Sequence, residues 1–130
     1  MSAFADTSAL YALLDPRDQA HERVAERFPS LAADGLLTHN YVVVECGALV
    51  QARLGWEAAR EFHESLVAAL DVVWVSAEVH RAAVGALLAG VGRGVSLVDW
   101  TSFEVMRRRG LRRAFALDRD FVIQGFETVP

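Results

Sequence analysis

Short apolar runs alternate along the chain with longer stretches in which apolar and polar positions repeat at helical spacing. The first run lies within residues 2–11, where apolar residues lead up to Asp6, and we predict a β-strand that ends there. Four further runs are typical of short strands: residues 36–38, 71–75, 114–117 and Glu127–Val129. Strands that alternate with helices predict a three-layer α/β/α fold around a central, mostly parallel five-stranded sheet. We expect the first strand to lie at the centre of that sheet.

The stretches between the predicted strands favour helices. A short helix capped by Thr7 or Ser8 is expected to run to Leu14. A second, amphipathic helix begins near Asp18, and Pro29 is expected to kink or end it. The patterns predict further helices over Asn40–Leu54, 56–70, 76–89 and Leu97–Arg109, with glycines at positions 90, 92 and 94 forming a turn before the last of them.

Length and composition fit one domain that spans residues 1–130. A hydrophobic content of 53% is enough for a substantial core. No apolar run approaches the roughly 18 residues of a membrane-spanning helix, and the N-terminus lacks the basic start of a signal peptide. We therefore expect a soluble, cytoplasmic protein with no membrane contact. The single cysteine, Cys46, lies in an apolar context and is expected to be an inert core residue.

All 13 basic residues are arginine, and the absence of lysine excludes two kinds of chemistry. A Walker-type phosphate-binding loop requires a lysine, and so does catalysis through a Schiff base. The 17 acidic residues outnumber the arginines, which gives a net charge of −4. The acidic residues are therefore the place to look for a functional site.

Three acidic residues lie where a strand or a loop gives way to a helix. Asp6 and Asp118 each follow a predicted strand, and ligands bind where the carboxyl ends of parallel strands meet at one edge of a sheet. Asp99 stands three residues after Ser96, in an S-x-x-D pattern before an apolar run. Each has an ordinary explanation: a polar strand end for Asp6, a helix capping box for Asp99, and a turn for Asp118 and Asp120. Taken singly, none of them indicates a site.

Glu45 is the only charged residue between Tyr41 and Val50. Burying an unpaired carboxylate is costly, so Glu45 requires a partner. That partner is either an arginine in a structural ion pair, or a metal or ligand in a pocket. The sequence leaves both open.

Considered together, the four acids Asp6, Glu45, Asp99 and Asp118 are predicted to converge on one cleft at the carboxyl edge of the sheet. Carboxylates in one cleft repel one another unless a positive charge lies between them. Oxygen ligands without histidine or thiolate select Mg²⁺ or Mn²⁺. Such ions hold a phosphodiester and activate a water for attack, with two ions about 4 Å apart sharing those tasks. The predicted reaction is metal-assisted phosphodiester hydrolysis.

Four segments carry these acids: F-A-D-T-S-A-L from Phe4 to Leu10, V-V-V-E-C from Val42 to Cys46, S-L-V-D-W-T-S-F from Ser96 to Phe103 and A-L-D-R-D-F from Ala116 to Phe121. In residues, order and spacing they resemble the PIN domains, and within them the VapC-type toxins of bacterial toxin–antitoxin pairs. The likeness covers essentially the whole chain. It implies a three-layer PIN-like fold.

The resemblance also implies the site residues around Mg²⁺ or Mn²⁺: the catalytic acids Asp6, Glu45, Asp99 and Asp118, and Thr7, whose hydroxyl is expected to help hold the water or substrate. The family often has threonine or serine two positions before the fourth acid, where this chain has Ala116. Either Asp118 or Asp120 is therefore the fourth ligand. We prefer Asp118, which comes first after the strand, with Asp120 as an outer or water-mediated ligand.

Function and partners follow from the same resemblance. Its members are ribonucleases that cleave structured cellular RNA, are neutralised by a co-expressed VapB-type antitoxin and are usually homodimers. Apolar residues around Phe28 and Phe62 are compatible with a partner surface. The only dense basic cluster is Arg107, Arg108, Arg109, Arg112 and Arg113, which is either a contact surface for RNA phosphates or a solvated helix end.

Three other functions fit the sequence less well than a ribonuclease. An aspartyl-phosphate phosphatase would have a second aspartate at the position of Ser8, and a phosphorylated receiver domain would have a lysine, so both are disfavoured. A non-catalytic PIN-like module that binds RNA or protein would be marked by a missing acid. All four acids are present, and this module is the second-ranked interpretation.

Overall fold

The centre of the molecule is a sheet of short strands, seen in a computed structural model that describes residues 2–90 and 94–130. The strands are β1 (Ala3–Ala5), β2 (Leu36–His39), β3 (Asp71–Val73), β4 (Arg113–Phe115) and β5 (Glu127–Val129). Their order is β3-β2-β1-β4-β5, and every neighbouring pair is parallel. The predicted five-stranded sheet with the first strand at its centre is confirmed.

Helices connect the strands. Those within the described residues are α1 (Thr7–Leu14), α2 (His21–Asp34), α3 (Asn40–Leu54), α4 (Trp56–Glu61), α5 (Ala77–Leu88), α6 (Leu97–Arg109) and α7 (Asp120–Ile123). Parallel strands are joined by right-handed crossovers, so the helices that precede β3 and those that follow it lie on opposite faces of the sheet. The predicted α/β/α architecture is therefore confirmed.

The strand order changes direction at β1. From β1 the chain first moves outward through β2 to β3, and it then returns to the other side of β1 for β4 and β5. In open parallel sheets the loops at the carboxyl ends of the strands diverge at such a switch point and leave a crevice. Asp6 directly follows β1 and Asp118 lies just beyond β4, so both reach this crevice.

Two strands are shorter than predicted because side chains take over their backbone hydrogen bonds. β3 ends at Val73, and the amide of Val75 donates to Asn40 Oδ1 (2.7 Å). β4 ends at Phe115, and the amide of Leu117 donates to Ser8 Oγ (2.9 Å). Both side chains come from distant parts of the sequence, which a local pattern does not reveal.

Three helical predictions were wrong in detail. Pro29 lies inside α2 and does not end it, because Pro29 is exposed and the carbonyl that it leaves unbonded lies on the solvent side of the helix. The helix predicted over 56–70 is α4 followed by a π-helical turn (Phe62–Leu66) and a 3₁₀ turn (Val67–Ala69). The short helix α7 was not predicted. Of the predicted glycine turn, Gly90 and Gly94 have positive φ angles, whereas Gly92 lies outside the described residues.

Aromatic side chains fill the space between the sheet and the helices. Phe121 of α7 is fully buried and packs against Phe103 of α6, with ring centroids 5.0 Å apart, and against Phe4 of β1. Phe62 is also fully buried, and the half-buried Phe28 packs on Phe115. A partner surface on the helices around them stays a prediction. The anchoring of Phe121 fixes the loop that carries Asp118 and Asp120.

Cys46 and the lengths of the helices bear on two further predictions. Cys46 is a free, fully buried thiol, as expected of a core residue, and burial raises its pKa to about 12. Within the described part of the chain, no helix is both long enough and apolar enough to cross a membrane.

Candidate active site

Asp6 is held rigidly at the end of β1. It is the N-cap of α1, so the prediction that Thr7 or Ser8 caps this helix was wrong. Its Oδ2 accepts hydrogen bonds from the amide of Ser8 (3.2 Å) and from Ser8 Oγ (2.6 Å). Because Ser8 Oγ also accepts from the amide of Leu117, one hydroxyl ties Asp6 to the segment that follows β4. Sequence reasoning did not find this role of Ser8.

Glu45 is paired with Thr7. The hydroxyl Oγ1 of Thr7, the first residue of α1, donates to Glu45 Oε1 on α3 at 2.6 Å. The packing of α1 against α3 brings these side chains together although they are 38 residues apart. Glu45 therefore has a neutral donor as its partner; within residues 2–90 and 94–130 it forms no ion pair with an arginine.

Asp99 lies in the first turn of α6. Ser96 is the N-cap, and its Oγ accepts from the amide of Asp99 (3.1 Å), so the predicted capping pattern is present. Capping does not account for the carboxylate itself, which is half-buried among other acids. The structural and the functional explanations of Asp99 are therefore compatible.

Asp118 and Asp120 both face Asp99. One carboxylate oxygen from each of the three residues can be chosen so that all three oxygens lie within 4.8 Å of one another. Asp118 Oδ1 accepts from the amide of Asp120 (2.9 Å) as the chain turns into α7. The structure thus brings both candidates for the fourth ligand to the same place.

The electrostatics of the cleft are those of crowded carboxylates. Burial raises the pKa of Asp6 to about 6, although the hydrogen bonds from Ser8 oppose the change. Burial, followed by the charges of Asp6, Asp118 and Glu45, raises the pKa of Asp99 to about 7. The pKa of Asp120 is raised as well, by burial and by Asp118. These groups resist ionisation unless a positive charge joins them.

The residues present fit a divalent cation. Asp6 Oδ1 is buried and accepts no hydrogen bond from any residue that the structure describes. A buried oxygen with no donor is expensive unless a ligand completes it. All the candidate ligands are carboxylate oxygens, the set that Mg²⁺ or Mn²⁺ prefers. Asp99, Asp118, Asp120 and Asp6 are therefore suited to hold such an ion.

The arginine cluster lies away from this cleft. Asp99 is in the first turn of α6 and Arg109 is its last residue, about 15 Å away along the axis at about 1.5 Å per residue. Arg107 binds Gln124 (2.8 Å to Oε1), and Arg108 pairs with Glu104 (3.2 Å). Arg107 and Arg112 lie beside the start of β5, at the amino edge of the sheet. Arg108 and Arg109 instead lie near Val75, beyond the carboxyl end of β3, where Arg108 also reaches Glu78 (3.6 Å).

A buried histidine behind the site was also missed. His39 caps α3 by accepting from the amide of Val42 at Nδ1 (3.3 Å), so its Nε2 carries the hydrogen and donates to Ser102 Oγ on α6 (2.9 Å). Ser102 in turn donates to the carbonyl of Val98 (3.0 Å). This chain of bonds joins the helices that carry Glu45 and Asp99. No metal-ligand spacing marks His39 in the sequence.

Comparison with known proteins gives agreement along nearly the whole chain. The PIN domain family matches residues 3–126. The chain is 35% identical over 127 residues to a Mycobacterium tuberculosis protein described as "23S rRNA-specific endonuclease VapC20", covering 97% of this chain and 96% of that protein. The crystal structure of the M. tuberculosis VapC20, described as a sarcin–ricin loop cleaving toxin, superposes with a TM-score of 0.90 at 34% identity and covers 99% of this chain and 100% of that one.

More distant structures share the fold. FitAcB from Neisseria gonorrhoeae has a TM-score of 0.74 at 14% identity, with coverage of 98% of this chain and 96% of that one. PAE2754 from Pyrobaculum aerophilum has a TM-score of 0.65 at 24% identity, with coverage of 99% and 90%. The match along residues 3–126 and the similarity to VapC20 show that this chain belongs to the PIN domain family.

Proposed function

We propose that this chain is a metal-dependent endoribonuclease that cleaves 23S rRNA, and that it is the toxin of a toxin–antitoxin pair. One observation carries the proposal: Asp99, Asp118 and Asp120 bring carboxylate oxygens within 4.8 Å of one another, and the charges of Asp6 and Glu45 also act on Asp99. Among the described residues, no arginine forms an ion pair with any of these acids. The similarity to a 23S rRNA-specific endonuclease over 97% of the chain supports the choice of RNA.

The catalytic roles divide between two groups of residues. Asp6, Asp99 and Asp118, together with Asp120, would hold Mg²⁺ or Mn²⁺, which supplies the positive charge that a phosphodiester needs for attack. Glu45 is placed to accept a proton from the attacking water. Thr7 fixes the Glu45 carboxylate through its 2.6 Å hydrogen bond and so keeps it oriented.

The substrate that we propose is the sarcin–ricin loop of 23S rRNA, the target in the description of the M. tuberculosis structure. We also propose a VapB-type antitoxin and a homodimer as the assembly of this chain, and the cytoplasm as its compartment. FitAcB and FitAB bound to a DNA fragment are structures of similar fold. Light scattering of the purified chain, alone and with its antitoxin, measures both assemblies.

The test is cleavage of purified ribosomes and total RNA by the antitoxin-free protein, with Mg²⁺ or Mn²⁺ against EDTA. Wild type is expected to yield a discrete 23S fragment whose end maps to the sarcin–ricin loop. Asp6→Asn and Asp99→Asn are expected to abolish it. Asp71→Asn is a matched control, because Asp71 is exposed at the start of β3, at the opposite edge of the sheet.

Each outcome decides between functions. Cleavage of 23S rRNA at another position would keep the nuclease and change its target. Protein that binds Mn²⁺ and RNA but cuts none of these substrates would favour the non-catalytic binding module instead.

A further inference from the structure

An apolar cleft opens directly beside the carboxylates. It has a volume of about 520 Å³ and is lined by α3, α5 and the start of α6, including Tyr41, Val44, Glu45, His80 and Leu97. Volumes of about 300–1,000 Å³ are usual for small-molecule sites. Glu45 belongs both to this cleft and to the acid site, and Leu97 begins the helical turn that contains Asp99. The cleft is thus continuous with the site of phosphodiester cleavage.

The wall of the cleft holds a fixed aromatic pair. Tyr41 OH and His80 Nδ1 are joined by a hydrogen bond of 2.7 Å. The Tyr41 ring also makes edge contacts with the rings of His39 (5.7 Å) and His80 (5.8 Å). Both Tyr41 and His80 are half-buried, and Val44 beside them is 70% exposed. This arrangement offers apolar and aromatic surface together with the polar atoms of Tyr41 and His80.

RNA bound at the acids needs attraction from somewhere other than the acids. The cleft around the carboxylates is negative, and Arg107 and Arg112 of the arginine cluster lie at the other edge of the sheet, beside the start of β5. Proteins that bind single-stranded RNA compensate with aromatic side chains on which unstacked bases lie. A phosphodiester at the carboxylates places its flanking nucleoside within reach of the adjoining apolar cleft.

We propose that this cleft is a nucleobase subsite: a base next to the scissile phosphate leaves its stack and lies against Tyr41 and His80. The inference rests on the proposed nuclease function and extends it to the recognition of the substrate. Tyr41 and His80 position the RNA and take no part in the chemical step. The subsite explains how a negatively charged cleft selects a loop, whose bases can turn outward, over a regular helix.

The first experiment measures cleavage of a sarcin–ricin stem–loop RNA after the cut has been mapped. Tyr41→Ala and His80→Ala are expected to raise KM about 5- to 150-fold, the equivalent of about 1–3 kcal/mol per stacked base, with kcat little changed. Tyr41→Phe keeps the ring and is expected to retain most of the affinity. Trp56→Ala is the matched aromatic control, because Trp56 is 63% exposed on α4, outside the cleft.

An RNA that lacks the base beside the cut makes the test specific. Removing the base is expected to cost the wild type as much affinity as the Tyr41→Ala substitution costs on the intact RNA. The Tyr41→Ala variant is expected to bind the abasic RNA as tightly as it binds the intact RNA. Independent, additive losses would overturn the subsite, because they would show that Tyr41 and the base do not touch. Circular dichroism of each variant shows whether it is folded, and His80→Ala provides a second measurement should Tyr41→Ala unfold.

A binding assay separates this inference from the proposed function. Asp99→Asn protein is mixed with stem–loops that carry the fluorescent base 2-aminopurine at successive loop positions. Quenching at one position that disappears in the Tyr41→Ala, Asp99→Asn double variant supports the subsite even if no RNA is cut. Binding without quenching at any position overturns it while leaving the nuclease intact.

If Val44→Asp converts a dimer to a monomer, a second copy covers the cleft and the subsite is likewise overturned.

Discussion

At the scale of single residues, the carboxylates of Asp6 and Asp99 oppose folding when no cation is bound. Their pKa values rise from 3.8 to about 6 and about 7, first through burial and then, for Asp99, through Asp6. Between pH 3.8 and these raised pKa values, the folded chain therefore binds more protons than the unfolded chain. Stability of the metal-free protein falls as the pH rises through this window, because the unfolded state is then the more easily ionised one.

Asp99→Asn is expected to make the metal-free protein more stable than wild type above pH 7, since it removes the carboxylate with the pKa raised to about 7. The difference should shrink as the pH falls below 7 and vanish below 3.8, where Asp99 is protonated in both states. Thermal unfolding in EDTA, followed by circular dichroism, measures this. Added Mn²⁺ should raise the Tm of wild type more than that of the variant, and a variant that is less stable than wild type at alkaline pH would contradict the account.

Thr7→Val is expected to slow cleavage while leaving the fold intact. The substitution keeps the shape of the side chain and removes the donor to Glu45 Oε1. A hydrogen bond to a charged group contributes about 1.5–3 kcal/mol, so we expect kcat to fall about 10- to 150-fold. Thr7→Ser restores the hydroxyl and should recover most of the rate. Equal rates for Val and Ser at position 7 would exclude a role for this hydrogen bond.

At the scale of elements, the site depends on how α3 and α6 are joined beneath it. His39 caps α3, reaches Ser102 on α6 and is fully buried. Burial lowers the pKa of His39 from 6.5 to about 4, so the imidazole is neutral in the folded chain at neutral pH. The unfolded chain takes up a proton at His39 below pH 6.5, whereas the folded chain does so only near pH 4. The stability that His39 contributes is therefore lost as the pH falls through this window.

His39→Asn keeps an N-cap acceptor for α3 and loses the bond to Ser102. The variant is expected to be less stable than wild type at pH 7. The stability difference between them should decrease by about 1.4 kcal/mol for each pH unit below 6.5. At each pH, the difference between the two free energies of unfolding in urea isolates the contribution of His39. The acids whose pKa values are raised are present in both proteins, so their contribution cancels. A difference that stays constant down to pH 4 would show that His39 is not buried as a neutral group.

At the scale of the whole molecule, charge is divided between the two edges of the sheet. The acids lie at the carboxyl edge, and Arg107 and Arg112 are exposed at the amino edge. Arg119, between Asp118 and Asp120, is an exposed arginine at the acidic edge. RNA phosphates near the cut should therefore contact Arg119 before they contact the dense cluster.

Arg119→Gln is expected to weaken binding of a short stem–loop and to reduce the slope of log affinity against log salt by about 0.7 to 1, the effect of one lost phosphate contact. The double variant Arg107→Gln, Arg112→Gln removes two charges at the far edge and should change the affinity less than Arg119→Gln. Fluorescence anisotropy over a range of salt concentrations measures both. A larger effect from the far pair would place the RNA across the arginine cluster.

The sequence predicted the sheet, its central strand and the approach of Asp99 to Asp118, because burial patterns and strand ends are local signals. It did not predict contacts that depend on packing. Ser8 as a brace for Asp6, Thr7 as the partner of Glu45 and His39 as the link to Ser102 all join segments that only the folded sheet brings together. The helix α7 was missed because its four residues are held by the burial of Phe121 and not by a repeating pattern.

The bond from the amide of Leu117 to Ser8 Oγ spans 109 residues of sequence, and the carboxylates beside it come from both ends of that span. A ribosome that makes this chain therefore synthesises the first acid long before the last. Until residue 120 has been added, the nascent polypeptide carries no complete cleavage centre. If the product cuts ribosomal RNA, the order of synthesis itself delays its action on the ribosome that is producing it, and a message truncated before the codon for Asp118 yields a harmless fragment.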